Sequence, residues 1–257
     1  MSATAGRPRL GFSLFTLVMV AAFIGLGVWQ LQRRIEKHAL IAALTERLAA
    51  TPVPLPPVAT WSSLNAGRDE FRRVHFRAAF DAGSDAMVYS SGSAVRDDVS
   101  GPGTWAFIPA RLSGGEIVVV NAGFVQNTMQ DRAQQDRAVA HLGAGEATDL
   151  VGYIRFPESA GILTPSANVE KRLWFARDLP AMAQALGWSN GGKTVAPFYI
   201  DLEQPLPAGG IPKPAPLQVH LKDDHLQYAI TWFALAGAVV IAFFVWWRGK
   251  RPRAGPG

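Results

Sequence analysis

Residues 226–247 read LQYAITWFALAGAVVIAFFVWW and contain no charged side chain. At a rise of about 1.5 Å per residue, a helix of this length spans the hydrocarbon core of a bilayer, which is about 30 Å thick. A core helix of a soluble protein seldom stays uncharged for so long. The pattern therefore predicts a transmembrane helix over 226–247.

A second uncharged run, LGFSLFTLVMVAAFIGLGVWQLQ, covers residues 10–32. The alternative for an apolar run in this position is a cleavable signal peptide, but this run is long and no small-x-small cleavage site follows it. We therefore predict another transmembrane helix over 10–32. The two spans would leave a cytoplasmic tail at 1–9, one domain at 33–225 and a basic cytoplasmic tail at 248–257.

Charge is divided unevenly among these segments. Six of the 25 Lys and Arg residues lie in the tails, so 19 remain between the spans, where all 20 Asp and Glu residues lie. Basic tails around a near-neutral domain follow the positive-inside rule and do not indicate a nucleic-acid partner. The cations after 247 support this orientation, whereas Arg33, Arg34 and Lys37 oppose it. We expect a bacterial inner-membrane protein with a periplasmic domain, since no mitochondrial leader precedes the first span.

The segment between the spans begins as a helix and then becomes extended. Leu40, Leu44 and Leu48 recur every four residues, which predicts that the first helix continues over 33–50. The proline-rich segment TPVPLPP at 51–57 cannot be helical and predicts a stiff linker.

Short strands are predicted across a β-rich core at 70–205. Apolar and polar residues largely alternate over Val74–Phe80, and Ser113-Gly114-Gly115 is a hairpin signal between 104–112 and 116–121. Asp178 and Gly187 are expected to cap one helix over 179–186. We predict a mainly antiparallel barrel or sandwich with a small helical part. The remaining predicted strands are 87–89, 150–156, 173–176 and 197–202, and a helix-and-loop excursion is predicted at 133–147.

Motifs for enzymatic chemistry are missing from the sequence. The absence of cysteine excludes disulfides, thiolate metal sites and a Cys-x-x-Cys-His haem attachment. Nucleophile-elbow, zinc-protease, phosphate-loop and Rossmann patterns are also absent. The acidic pairs Asp97-Asp98 and Asp223-Asp224 predict solvated surface rather than a shared-proton dyad. We therefore expect a protein that is not an enzyme.

Three separated motifs carry a family resemblance: GVWQLQRRIEK at 27–37, VVVNAGFV at 118–125 and HLQYAITWFALA at 225–236. With the two-span layout, their order resembles the surfeit locus protein 1 family. That resemblance implies help in assembling cytochrome c oxidase, by holding haem a for delivery to oxidase subunit I, and it leaves haem a synthase as an open further partner. Smaller matching pieces are FRRV at 71–74, LTP at 163–165, Trp174 with Arg177-Asp178, and PFYID at 197–201.

Two positions depart from the family pattern. Ala122-Gly123-Phe124 stands where the family usually has Arg-Gly-Trp, and Ala78 stands where it tends to have glycine. We expect the fold to tolerate both changes. A role carried by that arginine cannot be transferred to this chain.

His225, at the outer end of the second span, is the candidate ligand for haem iron. On a helix Trp232 returns to within about 20° of it, and Tyr228 and Ala229 lie on the same face. Imidazole is a common haem ligand, and the two aromatic rings would cover a lipophilic porphyrin. Aromatic and His side chains also gather at membrane interfaces as anchors, so both interpretations stay open.

Trp29 and Arg33 are the candidates at the end of the first span. They are four residues apart and share a helix face. Arg33 and its neighbour Arg34 would snorkel to lipid headgroups or bind haem propionates. Among the other histidines, His220 is a weaker ligand candidate. Surface positions are expected for His38, His75 and His141.

Two further functions remain open from the sequence. One is a membrane scaffold that stabilises oxidase subunit I without binding haem. The other is an unrelated periplasmic binding or envelope protein with two anchors, for which the motif match would be coincidental.

Overall fold

The computed structural model describes residues 7–81, 85–93, 96, 98–126, 145–207, 212–218 and 223–249. The predicted excursion at 133–147 lies mostly outside these residues, as do Asp97, His141 and His220. The chain forms two compact units, a helical unit of 1–42 with 221–257 and a barrel domain of 43–220.

The described residues form four α-helices and eight strands. The helices are α1 Arg7–Ala49, α2 Ala66–Asp69, α3 Leu179–Ala185 and α4 His225–Gly249. The strands are β1 Val53–Pro54, β2 Arg73–Phe80, β3 Ala86–Gly92, β4 Ser100–Arg111, β5 Ile117–Gln126, β6 Thr148–Arg155, β7 Leu173–Trp174 and β8 Val195–Gln204.

In the helical unit, α4 packs against α1 in an antiparallel direction. Phe12 lies 4.4 Å from Trp246 between ring centroids near one end, and Phe23 stacks on Trp232 at 5.7 Å further along. Both helices are long and apolar enough to cross a membrane. The prediction of two long apolar helices flanking a mainly antiparallel sheet domain is thus confirmed.

The barrel domain is one sheet with the strand order β1-β2-β6-β8-β5-β4-β3-β7. A short antiparallel pairing joins Phe80 of β2 to Ala110 of β4. This contact closes β2, β6, β8, β5 and β4 into a five-stranded ring, so the domain is a barrel rather than a sandwich. The pairing of β5 with β8 is parallel, whereas the other pairings within the ring are antiparallel.

Strand β5 is buried on both faces, which explains its unbroken apolar run. Val118 and Val120 belong to one core cluster with Phe198 of β8. Val119 belongs to a second cluster, together with Met182 of α3. Because α3 covers the outer side of the sheet here, neither face of β5 needs polar side chains.

Local signals placed α3 correctly. The Asp178 carboxylate accepts a hydrogen bond from the Ala181 N–H at 3.1 Å, and Gly187 has a φ of +69° just past the end of the helix. In the proline-rich segment, Val53 and Pro54 pair with β2 in an extended conformation. His75 is exposed on β2, as its alternation with Val74 and Phe76 predicts.

Candidate functional site

His225 is the first residue of α4, and both its backbone and its ring are held. Its N–H donates to the Asp223 carboxylate at 3.0 Å, and its Nδ1 lies 2.7 Å from Oε1 of Gln30 on α1. An amide oxygen can only accept a hydrogen bond, so Nδ1 must carry the ring proton. In neutral imidazole this leaves a lone pair on Nε2, for which the described residues supply no hydrogen-bond partner.

Asp223 connects the two helices at the same level. Its carboxylate lies 2.6 Å from Nε2 of His38 and 3.6 Å from Nε of Arg34. Partial burial of Asp223 works to raise its pKa, but the hydrogen bonds from the His225 N–H and from His38 outweigh this effect and lower the pKa. The prediction that Asp223 lies on solvated surface is therefore wrong, because its side chain is only 15% exposed and lies against Arg34 and His38.

Helix α1 presents Gln30, Arg34 and His38 towards the start of α4. These residues are spaced four apart and share one helix face. Trp29 and Arg33 are 48% and 56% exposed, and Arg33 binds Glu36 at 2.8 Å. The Arg33 guanidinium carbon also lies 5.9 Å from the centre of the Trp29 ring. The structure thus brings Trp29 together with Arg33, while the partner of the His225 ring is Gln30.

The two aromatic candidates on α4 have different surroundings. Trp232 is half-buried against Phe23 of α1, with an interplanar angle of 25°. Tyr228 is 55% exposed and lies to the side of the helix contact, whereas Ala229 is 1% exposed within it. Trp232 therefore helps to hold α4 against α1 below His225, and the Tyr228 ring is accessible.

A cleft of about 420 Å³ runs along α1 next to this site. Leu31 and Ile35 form its apolar wall, and Arg34 and His38 supply nitrogen donors. Such a surface suits an amphipathic molecule that carries acidic groups, because guanidinium binds carboxylate with good geometry. Sequence reasoning did not find Gln30, although its spacing from Arg34 and His38 was a usable signal.

Four charged and amide side chains inside the barrel domain are paired with one another. Asn121 donates to Asp201 at 2.6 Å, and Arg155 joins Asp201 to Glu70 at 2.8 and 2.6 Å. These pairs tie β5, β6 and β8 together and leave little charge for a ligand. Among the described residues no group of three or more His, Asp or Glu side chains could hold a metal ion.

A cleft of about 430 Å³ in the barrel domain is also lined by charged groups that pair with each other. Its charged residues are Arg73 and Glu203, which form a bidentate ion pair with hydrogen bonds of 2.7 and 2.8 Å. Leu48 and Leu217 line its apolar side. Because the two charges neutralise each other, this cleft is a weaker candidate than the site at His225.

The SURF1 family model matches residues 17–237, which include Gln30, the whole barrel domain and the first half of α4. The chain belongs to the SURF1 family. This confirms the resemblance seen in the three motifs, and the matched range contains every residue of the site at His225.

Curated relatives extend over nearly all of the chain. Surfeit locus protein 1 of Rattus norvegicus is 31% identical over an alignment of 255 residues that covers 95% of this chain and 76% of the rat protein. The human protein of that name is 32% identical over 239 residues, covering 89% and 74% of the two chains. The Takifugu rubripes protein is 30% identical over 242 residues, covering 90% and 94%. The similarity therefore spans both the helices and the barrel of this SURF1-family chain.

Proposed function

We propose that this SURF1-family protein is a membrane-bound assembly factor for cytochrome c oxidase, which holds haem a transiently and passes it to oxidase subunit I. The oxidase role is what the family resemblance implies. The observation that carries the haem-binding step is the hydrogen bond from Nδ1–H of His225 to Gln30, 2.7 Å long, which leaves the Nε2 lone pair available. The chain performs no chemical conversion in this proposal, and haem a is its cargo.

The residues around His225 fit a haem. Histidines that bind metals usually donate their other ring N–H to an oxygen acceptor, which is what His225 does with Gln30. Leu31 and Ile35 offer an apolar wall for the porphyrin, and Arg34 offers a guanidinium for a propionate. The site lies at the end of a spanning helix, where a lipophilic molecule with two acidic groups is best solvated.

The site also suits a molecule that must be released again. The proposal uses one imidazole as ligand, that of His225, and the Nε2 atom of His38 is bound to Asp223. The cleft is open rather than enclosed, and Arg34 keeps 39% of its side chain exposed. A haem held by one axial ligand in an open cleft dissociates more readily than one enclosed between two ligands.

The direct test is a haem titration of the purified full-length protein in detergent. We expect haem a to give a ligand-bound absorption spectrum with the wild type and to lose it with His225→Ala. His75→Ala is the matched control, because His75 is exposed on β2 in the barrel domain. A wild-type spectrum identical to that of haem a in detergent alone would refute haem binding. An unchanged spectrum in His225→Ala would remove His225 as the ligand.

Two neighbouring arginines give a second test. We expect Arg34→Ala to weaken haem a binding by about tenfold, since a hydrogen bond to a charged group contributes about 1.5–3 kcal/mol and this side chain is partly solvated. We expect Arg33→Ala to bind as the wild type does, because Arg33 pairs with Glu36 and Trp29. Equal losses in both variants would show that general positive charge, rather than the Arg34 cleft, attracts the haem.

We further propose that the barrel domain lies in the periplasm of a bacterium and that both termini are cytoplasmic. Because the chain has no cysteine, single cysteines can report this directly. Ala160 and Gly249 are exposed positions in the barrel domain and at the end of α4. A membrane-impermeant maleimide should label Ala160→Cys in spheroplasts and label Gly249→Cys only after permeabilisation. The opposite labelling would reverse the topology.

Co-purification distinguishes delivery of haem from scaffolding. Haem a in the isolated protein, together with oxidase subunit I, supports delivery, whereas subunit I without haem supports a scaffold. Haem a synthase in the same complex would identify the donor. In a deletion strain we expect oxidase that lacks its haem a signal, and a normal oxidase content and spectrum would refute both functions.

A further inference from the structure

Gln30 makes a contact that its position in the sequence does not predict. It lies 195 residues before His225, yet its Oε1 is 2.7 Å from the Nδ1 of that ring. It faces α4 from the same side of α1 as Arg34, which approaches Asp223. Gln32, two positions further on, is exposed and provides a natural comparison within the same motif.

The hydrogen bond selects one of the two neutral forms of the His225 ring. A solvated neutral histidine side chain carries its proton mainly on Nε2, whereas an oxygen acceptor at Nδ1 draws the proton to Nδ1. The lone pair then lies on Nε2, the outer nitrogen of the ring. The bond also limits rotation of the ring about χ2, because Nδ1 must stay within reach of Gln30.

The packing of α1 on α4 keeps this acceptor in place. At Gly27, three residues before Gln30, an added Cβ would lie 2.5 Å from the Phe233 ring. Glycine at this position therefore lets the Phe233 ring of α4 pack directly on the α1 backbone. Between these two contacts Ala229 is 1% exposed, so the helices meet closely over the two turns of α4 that follow the hydrogen bond.

We propose that Gln30 is the positioning residue of the site, which fixes the Nδ1–H form and the orientation of His225 so that Nε2 faces the ligand. The ligand part of this statement rests on the proposed haem a binding, whereas the choice of ring form does not. A glutamine oxygen also increases the electron density of a coordinated imidazole, since the Nδ1–H···O bond gives the ring partial imidazolate character. Gln30 would thus tune both the affinity and the reduction potential of the bound haem.

The ring form is tested without haem. In full-length protein carrying ¹⁵N-labelled histidine, we expect one of the five histidines to show the Nδ1–H pattern, and His225→Ala should assign it by removing it. Gln30→Leu, which keeps the size but removes the acceptor, should convert that signal to the Nε2–H pattern. Gln30→Glu and Gln32→Leu should both retain the wild-type pattern. A His225 signal in the Nε2–H form in the wild type, or one that Gln30→Leu leaves unchanged, would overturn the proposal.

The haem-loaded protein separates this inference from the proposed function. We expect Gln30→Leu to weaken haem a binding by about 10–100-fold, the usual effect of removing such a partner, and Gln32→Leu to have no effect. Gln30→Glu, a stronger acceptor, should keep the binding and lower the reduction potential, which a residue that only packs would not do. If the wild type binds haem a and neither Gln30 variant changes the affinity or the reduction potential, the role of Gln30 is refuted and the proposed function is not. No haem binding by the wild type refutes the proposed function, and the ring-form experiment then decides what Gln30 does.

Discussion

Gly123 is the residue of β5 against which the backbone of residues 213 and 214 packs. A Cβ added here would lie 2.3 Å from the carbonyl carbon of Lys213, 2.5 Å from the nitrogen of Pro214 and 2.6 Å from the Lys213 oxygen. The strap formed by residues 212–218 is held at this point by two backbone hydrogen bonds between Phe124 and Lys213, at 3.0 and 3.3 Å. Gly123→Ala should therefore displace the strap from β5.

The cost of this change has two parts. Gly123 has a φ of +127°, a conformation that costs a residue with a side chain about 1–2 kcal/mol. The new methyl group would overlap backbone atoms, which no rotamer change can move away, and overpacking of this kind costs about 1–3 kcal/mol. The sum is about 3 kcal/mol. At about 2–4 °C per kcal/mol for a domain of this size, the melting temperature should fall by about 6–12 °C.

Thermal unfolding of the full-length protein in detergent, followed by the near-ultraviolet circular dichroism of the barrel tryptophans, measures this loss. Gly115→Ala is the matched control, because Gly115 has a φ of +93° but no heavy atom within 4 Å of the added Cβ. It should show the backbone strain alone, about a third to a half of the effect. Equal losses in the two variants would mean that the strap is not seated on Gly123.

Two further predictions concern polar groups of the barrel domain. Hydrogen bonds from Arg96 and Lys213 hold the pKa of Asp98 far below its ordinary value of 3.8, so the contribution of Asp98 to stability is complete above about pH 4 and is lost as the pH falls towards the folded-state pKa. Asp98→Asn should therefore be less stable at pH 7 and show a flatter decline in melting temperature below pH 4. An unchanged pH profile would argue against the pairing of Asp98 with Arg96 and Lys213. The Tyr199 hydroxyl is buried without a hydrogen-bond partner among the described residues, whereas the Tyr153 hydroxyl bonds to Glu203 and to the Leu217 backbone. In denaturant unfolding, Tyr199→Phe should be neutral or stabilising by up to about 1 kcal/mol, and Tyr153→Phe should cost about 1–2 kcal/mol. A loss in Tyr199→Phe equal to that in Tyr153→Phe would contradict this difference in hydrogen bonding.

The elements of the fold could be predicted because their signals are local. An uncharged run of 22 residues is long enough for a membrane whatever surrounds it, and the spacing of the leucines at 40, 44 and 48 predicts by itself that the helix continues. Alternation and turn residues likewise placed most of the strands. Asp178 and Gly187 marked α3 because a helix cap involves only residues within one turn.

The candidate site was predicted in part, for the same reason. His225 was chosen as a candidate because an imidazole at the end of an apolar run can be recognised from the sequence alone. Arg33 and Trp29 were placed beside it because they end the first apolar run and share a helix face, and both are largely exposed on α1. The acidic pair at 223–224 was taken for solvated surface, because nothing in the sequence indicates that His38 lies 2.6 Å from Asp223.

The sequence alone therefore determined the two long apolar helices, the strand-rich domain between them and the imidazole at the start of the second helix. Hydropathy and periodicity encode these features in neighbouring residues. Tertiary structure alone brought Gln30 to His225 and Arg34 to Asp223, and it closed the barrel through Phe80 and Ala110. These pairings depend on which faces of distant elements meet, and the energy that selects them comes from packing of the whole unit rather than from any local pattern.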